Sequence, residues 1–265
     1  MNEVEIDSIR RSLPASWNEL TKDQLIFVTR MFHKSMTVGD FKVHTLFEFL
    51  SIKMNIFKRI ASEDAFFLCK ALDFILAEVT LTKNLTPFIR RGLTKYYGTS
   101  DGLLYCTFGE FTRAHTQFEQ FVDTKDESAL TELVAILYRK KKFGWFIRKH
   151  FTDSPDPRVR LKNRTLKRRI KRFEKIDHMI KYSVFLFFFG CINSFPRQFP
   201  NVFRKKEDSG TSANGWISLI ISLADGKTDN RSIDLVVNSN LYNVFLGLEQ
   251  KSIEYFEYLD KIGRK

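Results

Sequence analysis

The stretch Thr107–Tyr138, TFGEFTRAHTQFEQFVDTKDESALTELVAILY, reads as two amphipathic helices joined by a short polar turn. Phe108, Phe111, Ala114, Phe118 and Phe121 recur every three or four positions, which puts them on one face of a 3.6-residue helix. Glu110, Arg113, Gln117 and Gln120 fall on the other faces. Thr107 is suited to cap the first helix, because a threonine hydroxyl accepts from an orphan backbone N–H there. Asp123-Thr124-Lys125 interrupts the pattern, and Asp126–Tyr138 resumes it with Leu130, Leu133, Val134 and Leu137 inward. The pair predicts an αα-hairpin.

The same period extends in both directions. Thr21 with Gln24 has capping-box spacing ahead of Leu25, Val28, Met31 and Phe32. Gly39-Asp40 breaks the run, and Phe41–Ile60 reads as one helix. Glu63 and Asp64 suit the first turn of the next. Thr82–Gly102 is looser, with Pro87, Gly92 and a YYGTSDG turn. Downstream, helical patterns cover Leu161–Lys181, Trp216–Ala224 and Leu241–Ile262, while Ser232–Asn238 fits a short helix or a strand. Phe is abundant, at 27 residues, and Pro scarce, at 6, which favours long helices with aromatic faces over a turn-dense β fold. Strict two-residue alternation is nearly absent. The expectation is therefore an all-α protein, a bundle of about nine to eleven helices with little or no β structure.

Charge is distributed unevenly. Arg139–Lys175 holds sixteen Lys or Arg against Asp153, Asp156 and Glu174, so it accounts for the whole chain's net charge of +12 and the rest is near neutral. This suggests an N-terminal helical part over 1–138, a basic junction over 139–160 and a C-terminal helical part over 161–265, within one compact domain or two. Lys140, Lys141, Lys142, Lys167, Arg168, Arg169 and Arg172 are the candidate polyanion contacts. Phe143, Trp145, Phe146 and Phe151 are interleaved with the cations, as stacking on nucleobases would need. The alternative reading has Gly144-Trp145-Phe146-Ile147 as a buried anchor with charges snorkelling around it. No helix-turn-helix, zinc-finger or RNA-recognition signature is present.

Enzyme chemistry finds no support in the sequence. The five histidines do not form HExxH or Glu-x-x-His spacing. His115 and Glu119 are four apart and fit a helix-surface pair. Gly226-Lys227-Thr228 imitates the end of a phosphate-binding loop, but Ile221 stands where the loop needs its first glycine. The expectation is a non-enzymatic protein with no metal and no cofactor. Cys69, Cys106 and Cys191 are odd in number and far apart, as for reduced core thiols in a cytoplasmic protein. No signal peptide is visible at the N-terminus. Tyr182–Pro196 lacks charge but runs for only fifteen residues, short of the roughly twenty a spanning helix needs. It reads as a buried central helix, with membrane association the less favoured alternative.

Several short segments together carry a resemblance. They are Leu13-Pro14-Ala15-Ser16-Trp17 with Glu19-Leu20-Thr21, Gly109-Glu110-Phe111, Leu133–Arg139, Asp156-Pro157-Arg158, Phe188-Phe189-Gly190-Cys191, Phe199–Phe203, and Trp216 with Leu223-Ala224. In this order the chain resembles helical proteins of the tail-morphogenesis region of phages and prophages, placed where a tail assembly chaperone would be. The resemblance implies a non-enzymatic role in the bacterial host cytoplasm, with a tape-measure or tube protein as partner. Such a client needs its apolar stripe covered reversibly, which an aromatic groove with a polar rim can do. Phe108, Phe111, Phe118, Phe121, Phe245 and Leu248 are the candidate protein contacts, on helices that must also bury one face as ordinary core. Nucleic acid is the alternative partner, through 139–175.

Overall fold

The computed structural model describes residues 2–6, 9–52, 54–144, 156–204 and 214–263. The expectations for Trp145, Phe146, Phe151, the Asp153–Pro155 turn and most of the Lys205–Asn214 loop concern positions outside these residues. The chain separates into two compact units, Met1–Thr86 with Asp177–Gly190 and Pro87–Ile176 with Cys191–Lys265. Neither boundary of the sequence-based division coincides with theirs.

The structure is predominantly helical, with twelve α-helices among the described residues. In the first unit these are α1 (Lys22–Phe32), α2 (Val38–Leu50), α3 (Met54–Phe57), α4 (Ser62–Lys70) and α5 (Asp73–Leu76). The capping box at α1 forms as expected. The Thr21 hydroxyl accepts from Gln24 N (3.2 Å), and Gln24 Oε1 accepts from Thr21 N (2.8 Å). Helix α2 begins before the expected break. Thr37 caps it, and Gly39 and Asp40 lie in its first turn, where Asp40 N donates to Thr37 Oγ1 at 3.1 Å. It also ends early, because Ser51 turns left-handed (φ 50°) and Ile52 N closes onto Phe47 O at 3.1 Å.

The Trp17-Asn18 pair organises this unit. Trp17 is fully buried and donates its indole N–H to Phe74 O at 3.0 Å. Asn18 Oδ1 accepts from Thr82 N (2.8 Å) and Lys83 N (2.9 Å), while its amide donates to Thr82 Oγ1. One side chain thus satisfies the backbone of a segment without secondary structure.

The second unit contains α6 (Phe108–Thr124), α7 (Glu127–Leu137), α8 (Asn163–Phe173), α10 (Asn214–Leu223), α11 (Asn230–Asn238) and α12 (Leu241–Gly263). Helix α9 (His178–Gln198) runs from the first unit into the second, the division falling after Gly190. Helices α6 and α7 form the expected hairpin through Lys125, which is left-handed (φ 57°). Their aromatic face is core. Phe111 packs edge-on against Phe195, Trp216 and Phe245 with centroids 5.4–5.7 Å apart.

The β structure is small, as the expectation of a helical protein with little or no β allows. Strands β1 (Asn2–Ile6) and β2 (Ile9–Leu13) form one antiparallel hairpin, and β3 (Phe88–Arg91) and β4 (Thr94–Tyr97) another. Gly92, at φ 56°, supplies the left-handed turn of the second. Arg139 exchanges both backbone hydrogen bonds with Tyr97 (2.7 and 2.9 Å), and Lys142 and Val159 pair with Pro157 and Lys140. The start and end of the supposed junction are therefore tied into the second unit.

Helix α9 has the length and apolar character to cross a membrane, at 21 residues, yet Val184, Phe185, Leu186, Phe187 and Phe188 are all buried within the protein. A single such helix, mostly buried, is what a core helix looks like. Gly190 lets its backbone approach Leu81, where an added Cβ would stand 2.4 Å from Leu81 O. Gly190→Ala is expected to lower stability by about 1–3 kcal/mol, read as a reduced urea midpoint. An unchanged midpoint would refute this close approach.

Candidate functional site

The strongest concentration of chemistry lies in the second unit, at the N-terminus of α6. Thr107 caps that helix, its hydroxyl accepting from Glu110 N, and the Glu110 carboxylate returns to Thr107 N at 3.4 Å. The capping box fixes Glu110 with its carboxylate nearly excluded from water. Around it gather Arg139, one residue beyond the Tyr138 cap of α7, and the Asp156-Pro157-Arg158 turn.

Arg139 Nη1 pairs with Glu110 Oε1, and Arg139 Nη2 with Asp156 Oδ2 at 3.1 Å. Arg158 grips Asp156 through Nε (2.9 Å) and Nη2 (3.0 Å), and reaches Glu110 Oε2 at 3.2 Å. Arg158 Nη1 also donates to Leu137 O at 2.7 Å, satisfying a carbonyl at the end of α7. Both guanidiniums are 1% exposed. Burial pushes Arg139 below its ordinary value against the opposing pull of Glu110. For Arg158 burial acts the same way, but Glu110 and Asp156 outweigh it and the net direction is upward. Cys106 donates toward Glu110 at 3.5 Å, and burial, then the carboxylate, holds this thiol well above its usual range.

Two carboxylates thus face two guanidiniums. The quartet is a latch between α6, the end of α7 and the Asp156–Arg158 turn. It forms the inner wall of a cavity of about 560 Å³. That cavity is also lined by Arg113, Lys142, Arg160, Asn163, Asp234 and Asn240. A second cavity, of about 250 Å³, lies against α8 and is lined by Lys140, Arg168, Arg169 and Arg172 together with Tyr96, Val159 and Thr165. Among the described residues no group of three or more His, Cys, Asp or Glu is placed to hold a metal.

The structure disperses the basic candidates. Lys140, Lys141, Lys167, Arg168 and Arg172 are exposed, and Arg172 donates to the Tyr96 hydroxyl at 3.1 Å. Lys142 is half-buried and donates to Asp156 O at 2.8 Å. Arg169 is buried, and its Nε donates to Ala135 O at 2.6 Å. Burial, and next the neighbouring Arg139, push it down to about 10. Of the apolar candidates, Phe108, Phe111, Phe118, Phe121 and Phe245 are buried in the aromatic core and Leu248 is half-buried.

His115 stands at the edge of that core. Its Nδ1 lies 3.4 Å from Trp216 Nε1 and 3.3 Å from Glu119 Oε2. The indole can only donate, so it favours neutral imidazole, whereas the carboxylate favours imidazolium. Burial dominates and lowers His115 below its ordinary 6.5. The sequence singled out none of Glu110, Asp156, Arg139 or Arg158 as a site, because each sits in a segment with another evident role, as cap, turn or basic run.

No protein-family model, curated protein or solved structure matches the chain.

Glu110→Gln leaves two buried guanidiniums facing one carboxylate and is expected to cost about 3 kcal/mol. Adding Arg158→Met should restore part of that loss, and strict additivity in urea unfolding would show that the two groups do not interact. For His115, the unfolded chain takes up its proton near 6.5 and the folded protein only at lower pH. Stability is then lost as pH falls below 6.5. The Tm of the wild type should drop more steeply between pH 7 and 5 than that of His115→Gln. Parallel curves would disprove this contribution.

Proposed function

We propose that this chain is a non-enzymatic assembly factor of the phage tail-morphogenesis type, a helical bundle protein that holds a protein partner along α12. One observation carries the reading. Leu241, Phe245, Leu248, Ser252, Tyr255, Leu259 and Ile262 alternate spacings of four and three, the period of a helix-pairing seam. Its first part is spent on the core, with Leu241 and Phe245 buried. Beyond Phe245 no described side chain of α12 is fully buried, and Tyr255, Tyr258 and Ile262 are 50–61% exposed. An amphipathic helix with an open apolar stripe suits reversible capture of another helix. The resemblance names the partner class, a tape-measure or tube protein.

A second reading rests on α8, whose exposed Arg164, Lys167, Arg168, Lys171 and Arg172 face no acidic residue within Asn163–Phe173. That row would neutralise phosphates of a nucleic acid.

Co-purification with the tape-measure or tube protein tests the first reading. The Tyr255→Glu/Ile262→Glu variant should keep the wild-type Tm and lose partner affinity by at least about tenfold. Retention unaffected by this variant would sink the assignment to α12. Charge reversal at Lys167 and Arg168, with oligonucleotide binding followed against salt, tests the second. Binding that ignores salt would eliminate it.

A further inference from the structure

We propose that the tip of the β3–β4 hairpin, together with the turn at Phe143, docks on an anionic lipid surface. Leu93 and Phe143 are 109% and 98% exposed, and the next most exposed large apolar residue among those described is Leu235 at 67%. A single apolar side chain on a surface is ordinary. These two share a setting that is not, because each projects from a basic segment without an acid. Leu93 lies in Pro87–Ser100 with Arg90, Arg91 and Lys95, and Phe143 follows Arg139-Lys140-Lys141-Lys142.

The fold joins the two segments. Arg139 and Tyr97 exchange both backbone hydrogen bonds in an antiparallel bridge. Leu93 stands four residues before Tyr97, and Phe143 four after Arg139. Across an antiparallel bridge those two directions coincide, so both apolar tips leave the patch at the same end. Lys141 belongs to the same patch, its Nζ 5.7 Å from the centre of the Tyr97 ring. The base of the hairpin is fixed. Ile89 and Tyr96 pair across it and are buried, and the Tyr96 ring packs edge-on against Phe173 with centroids 4.9 Å apart. Leu93 is thus presented from a hairpin anchored in the core of the second unit.

The charge comes from the other face of the hairpin and from the segment after Arg139. Arg90 pairs directly with Lys95, a juxtaposition of like charges that costs stability in a sheet. Both lean over the Phe88 ring, at 5.8 and 3.7 Å, which offsets part of that cost. A layer of phosphate headgroups offsets the rest. Arg91, Lys140 and Lys141 are exposed and add to the same field. The carboxylate of Asp156, which meets Arg139, is already spent on Arg139 and Arg158. Cations alone fit any polyanion. The protruding Leu93 and Phe143 select a bilayer, where apolar side chains gain by entering the acyl boundary while the cations stay among the headgroups. The contact is with the membrane surface and involves no spanning helix. It is independent of the α12 seam, so either can fail without the other.

The test is co-sedimentation of the full chain with vesicles of phosphatidylcholine alone and of phosphatidylcholine mixed with phosphatidylglycerol. Binding is expected to the anionic vesicles only, and it should weaken as salt rises. Leu93→Ser/Phe143→Ser, at fully exposed positions, should keep the wild-type Tm and weaken that binding at least about tenfold. Arg90→Gln/Arg91→Gln should weaken it by about as much. The indole added by Leu93→Trp should shift its emission to the blue on the anionic vesicles. No sedimentation with anionic vesicles overturns the proposal. So does binding that Leu93→Ser/Phe143→Ser leaves unchanged, which would make the patch a general polycation. A chain that binds a double-stranded oligonucleotide and ignores the vesicles overturns it as well, in favour of nucleic acid.

Discussion

The Glu110 carboxylate is the point on which the second unit turns. It closes the N-terminus of α6, receives the Cys106 thiol and pairs with both Arg139 and Arg158. Each arginine is tied in turn to other structure. Arg139 is hydrogen-bonded through its backbone to β4, and Arg158 holds the carbonyl of Leu137 at the end of α7. A helix start, a helix end, a hairpin and a turn are thus connected through one buried carboxylate. Such a quartet adds less net stability than an apolar core of equal volume would. It is intolerant of losing one member, because the remaining charges stay buried. Its effect is to fix the chain path more than to deepen the fold.

This changes the meaning of the basic stretch. As a sequence it is a single block of positive charge. In the structure its described cations divide by burial. Arg139 and Arg158 are internal and paired with acids, Arg169 is internal on a backbone carbonyl, Lys142 is half-buried on Asp156 O, and Lys140, Lys141, Arg160, Lys162, Arg164, Lys167, Arg168, Lys171, Arg172 and Lys175 face solvent. Only the last group can act on a polyanion at long range. The block therefore overstates the surface charge, and the internal members concern the fold.

Helices with a clear apolar period and a capping side chain were legible, as α1, α6 and α7 show with Thr21, Thr107 and Asp126. Capping is local chemistry, encoded within four residues. The misreadings arose where a distant or backbone-level effect overrode the local pattern. Gly39-Asp40 looked like a break, yet the Thr37 hydroxyl provides the cap and turns both residues into a first turn. Phe41–Ile60 looked continuous, but Ser51 goes left-handed. The N-terminal hairpin went unread, because the alternation in Glu3-Val4-Glu5-Ile6 is too short to outweigh the helical signals around it. The quartet was not legible, since its members are separated by up to 48 positions and each has an adequate local explanation.

The aromatic richness that first suggested an open groove is consumed elsewhere. Phe111 alone contacts rings from α9, α10 and α12, so the face Phe108–Phe121 is closed by the protein's own helices. A partner competing for it would have to displace that packing, at a cost of several kcal/mol for each large ring exposed. The seam on α12 carries no such cost beyond Phe245, where Tyr255 and Ile262 already face water. Burying them against a second helix gains apolar contact without opening the core. The aromatic core and the proposed binding surface would then be successive stretches of one seam. Leu241 and Phe245 anchor the helix in the core, while Tyr255 and Ile262 of the same seam stay exposed.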